Sequence, residues 1–118
     1  MKGKTYGYLA KLNGETTRAR SKRQESRIAK SLKGYATINS GATLGQNDVI
    51  SDFCEVEAKT TSKESYTLKL ADWRMLRKKC DRRKMPIFML DFEKSKDTLV
   101  IMTNDDFEHL LRLIESDK

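Results

Sequence analysis

The sequence predicts an α/β domain, a central mixed β-sheet flanked by helices, and three observations carry that expectation. Residues 53–60 alternate between two faces as a strand does. Residues 87–92 form a nearly continuous apolar run of strand length. Segments of helical periodicity precede, separate and follow these strands, the order expected of helices packed around one sheet. At 118 residues the chain is long enough for one core and too short for two.

Residues 1–17 hold Gly3, Gly7 and Gly14 without sustained periodicity. They read as a basic, flexible arm with at most a short strand at 6–9, and the folded domain occupies 18–118. Residues 17–32 are good helix formers, with Ala19, Ile28, Ala29 and Leu32 as apolar contacts and Gly34 as the stop. Residues 35–38 alternate like a short strand, and 39–45 form a loop of small residues. Residues 48–51 and 53–60 are two strands around a turn at Asp52. Residues 69–83 read as a helix with Leu70, Trp73, Leu76 and Cys80 on one face, the Trp73 face packing on the sheet. Pro86 opens the run Ile87, Phe88, Met89, Leu90 and Phe92, which belongs to a strand in mid-sheet covered on both faces. A polar turn at 94–97 leads to a strand over 98–103. Asn104 or Asp105 then caps a last helix bearing Phe107, Leu110, Leu111 and Ile114.

The composition, 37% hydrophobic and 35% charged, is too apolar for a disordered chain and too interrupted for a membrane protein. Residues 1–20 are polar and basic, unlike a secretory leader, so a cytoplasmic protein is expected. Cys54 and Cys80 lack the paired spacing of a zinc or redox site and read as buried thiols. The net charge of +7 is unevenly placed. Residues 1–34 hold ten Lys or Arg against two Glu, a net of +8, and the remaining 14 basic and 15 acidic residues give −1. A concentrated basic segment attracts polyanions, which makes nucleic acid the first partner to consider beside a merely solvated arm.

The chemistry centres on the strand at 53–60. Alternation puts Glu57 and Lys59 on one face and Cys54, Val56 and Ala58 on the other. A carboxylate and an ammonium on a strand otherwise built for burial cost desolvation unless an ion, an ion pair or a substrate offsets it. With a turn at 51–53, Asp48 falls opposite residues 55–57, so two acids and a lysine converge. Two carboxylates so placed can hold Mg²⁺ and leave coordination positions for water and a phosphate oxygen. Read alone, the Glu-x-Lys triplet is also what a surface ion pair looks like. His109, the one histidine, lies on the polar side of the last helix and reads as solvated, so no catalytic triad is expected.

The run Gln46-Asn47-Asp48-Val49-Ile50, followed by Cys54-Glu55-Val56-Glu57-Ala58-Lys59-Thr60-Thr61, resembles the PD-(D/E)xK nuclease superfamily. Within it the likeness is to Holliday junction resolvases of archaeal and phage type and covers roughly residues 20–93. Glu25, the loop Asn39-Ser40-Gly41-Ala42 and Ser65-Tyr66-Thr67-Leu68 agree with it. The resemblance implies a restriction-endonuclease-like core and a Mg²⁺-dependent endonuclease, with Mn²⁺ able to substitute, acting on branched DNA as a homodimer. By position, Asp48 and Glu57 would be metal ligands, the Ala58 carbonyl a further contact, Lys59 the catalytic lysine and Glu25 an added acid. No proline precedes Asp48, so Asp52 stays open as the first ligand. Glu55 shares the Glu57 face but lacks a lysine two residues on, and is assigned to a supporting or DNA-facing position. Lys22, Arg23, Arg27, Ser40, Gly41 and Lys63 are the candidates for DNA contact, and Arg74, Arg77, Lys78, Arg82 and Arg83 would extend that surface. The competing expectation is a non-catalytic nucleic-acid-binding protein.

Overall fold

In the computed structural model, which describes residues 16–38 and 45–117, helices cover both faces of a five-stranded mixed sheet. The expected strand at 6–9 and the loop residues Ser40 and Gly41 lie outside the described residues. Helix α1 (Thr17–Ser31) is capped by the Thr16 hydroxyl, which accepts the Ala19 amide at 3.1 Å. At its end Lys33, not Gly34, takes the left-handed backbone (φ 56°), and the Gly34 amide reaches back to the Ala29 carbonyl at 2.8 Å. Gly34 is required for a different reason. A Cβ there would stand 2.2 Å from the Ile50 carbonyl oxygen, so only glycine lets the helix exit pass this close to the sheet.

Strands β1 (Tyr35–Ala36), β2 (Val49–Ile50) and β3 (Cys54–Thr61) pair antiparallel in sequence order. Helix α2 (Leu70–Lys79) then carries the chain across to β4 (Met85–Phe92), parallel to β3, as a parallel pair requires. The last strand, β5 (Asp97–Ile101), pairs antiparallel on the outer edge of β4.

The pleat divides the interior into two cores. On one face Val56 and Ala58 of β3, Val49 of β2 and Ile87 of β4 meet Ile28 and Ala29 of α1. On the other, Phe88 and Leu90 pack with Leu76 of α2, flanked by Tyr66, Trp73 and Phe92; the Tyr66 and Phe88 ring centroids are 5.9 Å apart. Neighbours Ile87 and Phe88 enter different cores, which is why β4 reads as a continuous apolar run.

Several local expectations need correction. α2 stops at Lys79, four residues before Arg83, because Cys80 takes an extended backbone and the Asp81 amide turns to bond Glu55 Oε2 at 3.0 Å. Within α2 only Leu76 is buried; Trp73 is half-buried and Leu70 is 60% exposed. β1 is two residues long; just beyond it the Thr37 amide bonds the Asp48 carbonyl at 2.9 Å and the Thr37 hydroxyl bonds the Asn47 carbonyl at 2.8 Å. The cap of the last helix, α3 (Asn104–Ser116), is Thr103, whose hydroxyl accepts the Asp106 amide at 3.1 Å. Both cysteines are half-buried rather than fully buried, and burial pushes the Cys80 thiol up to about 11.

No residue of α3 is buried, and no described element packs against it beyond glancing contact. Phe107 is 50% and Ile114 59% exposed, with Leu111 and Leu113 also in the open. His109 is exposed, as its place on the polar side suggested. Among the described residues no helix is long and apolar enough to cross a membrane.

Candidate active site

Strand β2 delivers Asp48 to the centre of the charged face. The register pairs Val49 with Val56 and Ile50 with Glu55, and carried one residue outward it sets Asp48 beside Glu57. Asp48 Oδ2 accepts the Ala58 amide at 2.9 Å, which fixes that carboxylate at the mouth of the β2–β3 pair. Lys59 Nζ lies 3.6 Å from Glu57 Oε2. Glu25, from the middle of α1, is near enough that the Asp48, Glu57 and Lys59 charges all act on it. Four positions from three separate segments therefore meet.

The electrostatics of this group are unfavourable for an apo protein. Burial raises the proton affinity of Glu57, and the Asp48 charge and a hydrogen bond with the Asp48 side chain push it further, against the attraction of Lys59 and Lys79. Glu25 is pushed up to about 7, first by burial and then by the Asp48 and Glu57 charges, with Lys22 and Lys59 opposing. Crowded carboxylates that hold protons this tightly are the arrangement a divalent cation relieves. Among the described residues no three His, Cys, Asp or Glu side chains form a ready-made ion cage. A cation here would draw on the Asp48 and Glu57 oxygens and on backbone, water or phosphate oxygens, the mixed hard-oxygen set that Mg²⁺ accepts.

Glu55 and Glu57 share a face but have different surroundings. Glu55 is 5% exposed, so it faces neither solvent nor DNA: Asn47 Nδ2 donates to Oε1 at 2.9 Å and the Asp81 amide to Oε2 at 3.0 Å. Both oxygens are occupied in joining the β2–β3 hairpin to the end of α2. Asp52 sits exposed in the hairpin turn, at the opposite end from Asp48. Glu57 and Lys59 instead line a hollow of about 140 Å³ with Tyr66, Asp72, Met75 and Lys79.

Among the candidates for DNA contact, Lys22, Arg23 and Lys63 are exposed. Arg27 is tied to Asp91, which also accepts the Thr98 hydroxyl at 2.6 Å, so this guanidinium is already engaged by the protein. Three residues near the site were not singled out from sequence. Gln24, 4% exposed, donates from Nε2 to the Lys59 carbonyl at 2.7 Å; Asn47, fully buried, holds Glu55 and the Leu76 carbonyl; Lys79 supports Glu57. Gln24 had one sequence signal, a polar residue four positions before Ile28 on the apolar stripe of α1. No family model, curated protein or solved structure matches the chain.

Proposed function

We propose that this protein is a Mg²⁺-dependent endonuclease that hydrolyses DNA phosphodiester bonds, acting on four-way junctions as a homodimer in the cytoplasm, or in the host cytoplasm if phage-encoded. The observation that carries the reading is the convergence of Asp48, Glu57 and Lys59 at one point of the β2–β3 pair. Asp48 and Glu57 would hold the ion, which when bound supplies positive charge against the scissile phosphate. Lys59 presents its ammonium at Nζ, where it can orient a water or donate to a phosphate oxygen as charge develops there. The buried Gln24 amide fixes the Lys59 backbone, and Glu25 adds a proton-binding carboxyl at the rim. The exposed Lys22, Arg23 and Lys63 add phosphate contacts at low cost in specificity. Symmetric cutting of a four-way junction needs two such sites, which a two-fold dimer provides. The same residues would serve a flap, a single-strand end or a duplex.

The deciding experiment is incubation with a synthetic four-way junction and a matched duplex, with and without Mg²⁺, and with Mn²⁺ in its place. Cleavage of the junction that requires the ion is expected. The 3.6 Å contact between Lys59 and Glu57 favours one other reading, a non-catalytic nucleic-acid-binding protein in which the two form an ion pair. DNA binding without turnover under every metal condition would establish that reading and end the nuclease proposal.

A further inference from the structure

The last helix is out of keeping with the rest of the molecule. Phe107, Leu110, Leu111 and Ile114 recur at the spacing of one helical stripe, yet among them only Leu110 is half-buried and the other three lie in the open. Where β5 runs into α3, the surface holds an apolar hollow of about 350 Å³ lined by Leu68, Leu70, Trp73, Ile101, Met102 and Thr103. On α2, positions 70, 73, 74 and 77 share a stripe, so exposed Leu70 is flanked by exposed Arg74 and Arg77. The two helices carry opposite charge. α2 has four basic residues and one acidic, a net of +3; α3 has four acidic and one basic, a net of −3.

We infer that two copies of this chain pair about a two-fold axis by exchanging α3, each laying the Phe107–Leu111–Ile114 stripe over Leu70 and the apolar hollow of the other, with Glu108 and Glu115 of α3 against Arg74 and Arg77. The pairing is isologous, since each copy offers one donor helix and one acceptor surface. Charge selects the partner. An α3–α3 pair would set −3 against −3, whereas α3 on α2 sets −3 against +3. A 13-residue helix docked twice over buries on the order of 1,500 Å², enough for a stable small dimer. The dimer surface involves none of Asp48, Glu57 or Lys59, so it stands or falls separately from the chemistry.

The test uses two charge-reversed forms of the full chain, Arg74→Glu with Arg77→Glu, and Glu108→Lys with Glu115→Lys. All four positions are exposed, and thermal melting checks that each form is folded. By sedimentation equilibrium without DNA, wild type should be a dimer at micromolar concentration. Each reversed form alone should have its dissociation constant raised about 10² or more, because acid then meets acid or base meets base. Mixed together, the two forms should recover wild-type affinity as a heterodimer, since both contacts are again between opposite charges. A monomeric wild type would overturn the proposal. So would an Arg74→Glu, Arg77→Glu form that dimerises normally, which points to α3–α3 pairing, or reversed forms that stay monomeric when mixed.

Discussion

The two ends of this molecule break the usual segregation of polar and apolar groups in opposite ways. At the β2–β3 end, Glu25 and Glu57 are drawn into partly buried positions beside the Asp48 carboxylate, where burial and mutual repulsion make them hold their protons. At the far end, α3 leaves a stripe of leucine, isoleucine and phenylalanine in the open. Each arrangement costs free energy in the isolated chain; under the two proposals made above, a cation would remove the first cost and the apolar surface of a second copy the other. Between them, β3, β4 and α2 obey ordinary rules, with Phe88, Val56 and Leu76 fully enclosed. Local inconsistency of this kind, in a chain otherwise consistent through its middle, is where functional sites are expected.

Substitutions can break or sharpen this contrast, and the largest effect is expected at the charged end. Lys59→Ala should slow single-turnover cleavage of a labelled junction by about 10² or more, a loss of roughly 3 kcal/mol, while the melting temperature barely moves. Unimpaired cutting by this variant would remove Lys59 from the mechanism. In the ordinary middle, Leu76→Ala should lower unfolding free energy by about 3 kcal/mol in denaturant titration, because its side chain is 1% exposed between α2 and β4.

A smaller effect distinguishes the charged end by pH. Glu25 has an ordinary value of 4.5 and is raised to about 7 in the fold, so between these values the folded state binds more protons than the unfolded one. Stability is therefore greatest below about pH 4.5 as far as this group is concerned, and is lost as pH rises through about 7. Without divalent ion, Glu25→Gln should melt above wild type at pH 7.5, with the gap closing near pH 5. Melting curves that stay superimposed at both pH values would show that Glu25 is not crowded. The smallest effect belongs to α3. In dilute, monomeric protein Leu111→Ala should change stability by no more than about 0.5 kcal/mol, although the same residue type at 76 costs several times that. A loss at Leu111 equal to that at Leu76 would mean that the helix packs on its own chain and would erase the contrast.

The parts of this structure legible in sequence are those set by local periodicity. Alternation along 53–60 gave the faces of β3, the unbroken run at 87–92 gave a strand between two cores, and the short hairpin brought Asp48 to Glu57. What local pattern does not encode is which residue of a face acquires a partner from elsewhere. Glu55 and Glu57 are equivalent by alternation; only Asn47 and the Asp81 amide, supplied by the hairpin and the end of α2, make one a structural tie and leave the other beside Lys59. Gln24 is likewise unremarkable until the helix is docked. Gly34 was legible as the stop of α1, but the reason for it was not: Lys33 takes the left-handed backbone, and Gly34 is needed for clearance from a neighbouring strand. The α3 stripe was readable as amphipathic, but its exposure among the described residues is a tertiary fact.

The bond from Gln24 to the Lys59 carbonyl joins residues 35 apart in the chain. α1 thus supplies Glu25 and also holds the strand that bears the lysine, and its seat on the sheet is narrowed to a single gap at Gly34. Partial opening of a domain tends to release whole elements, and a helix resting on one face of the sheet, as α1 does, is a natural first to lift. If α1 detaches while the sheet persists, amide protons of α1 exchange early while those of β3, still paired with β2 and β4, stay protected. Trp73, on the opposite face, would keep its native fluorescence. If the protein cuts DNA as proposed, that activity would be lost in denaturant before any tryptophan signal reported a change.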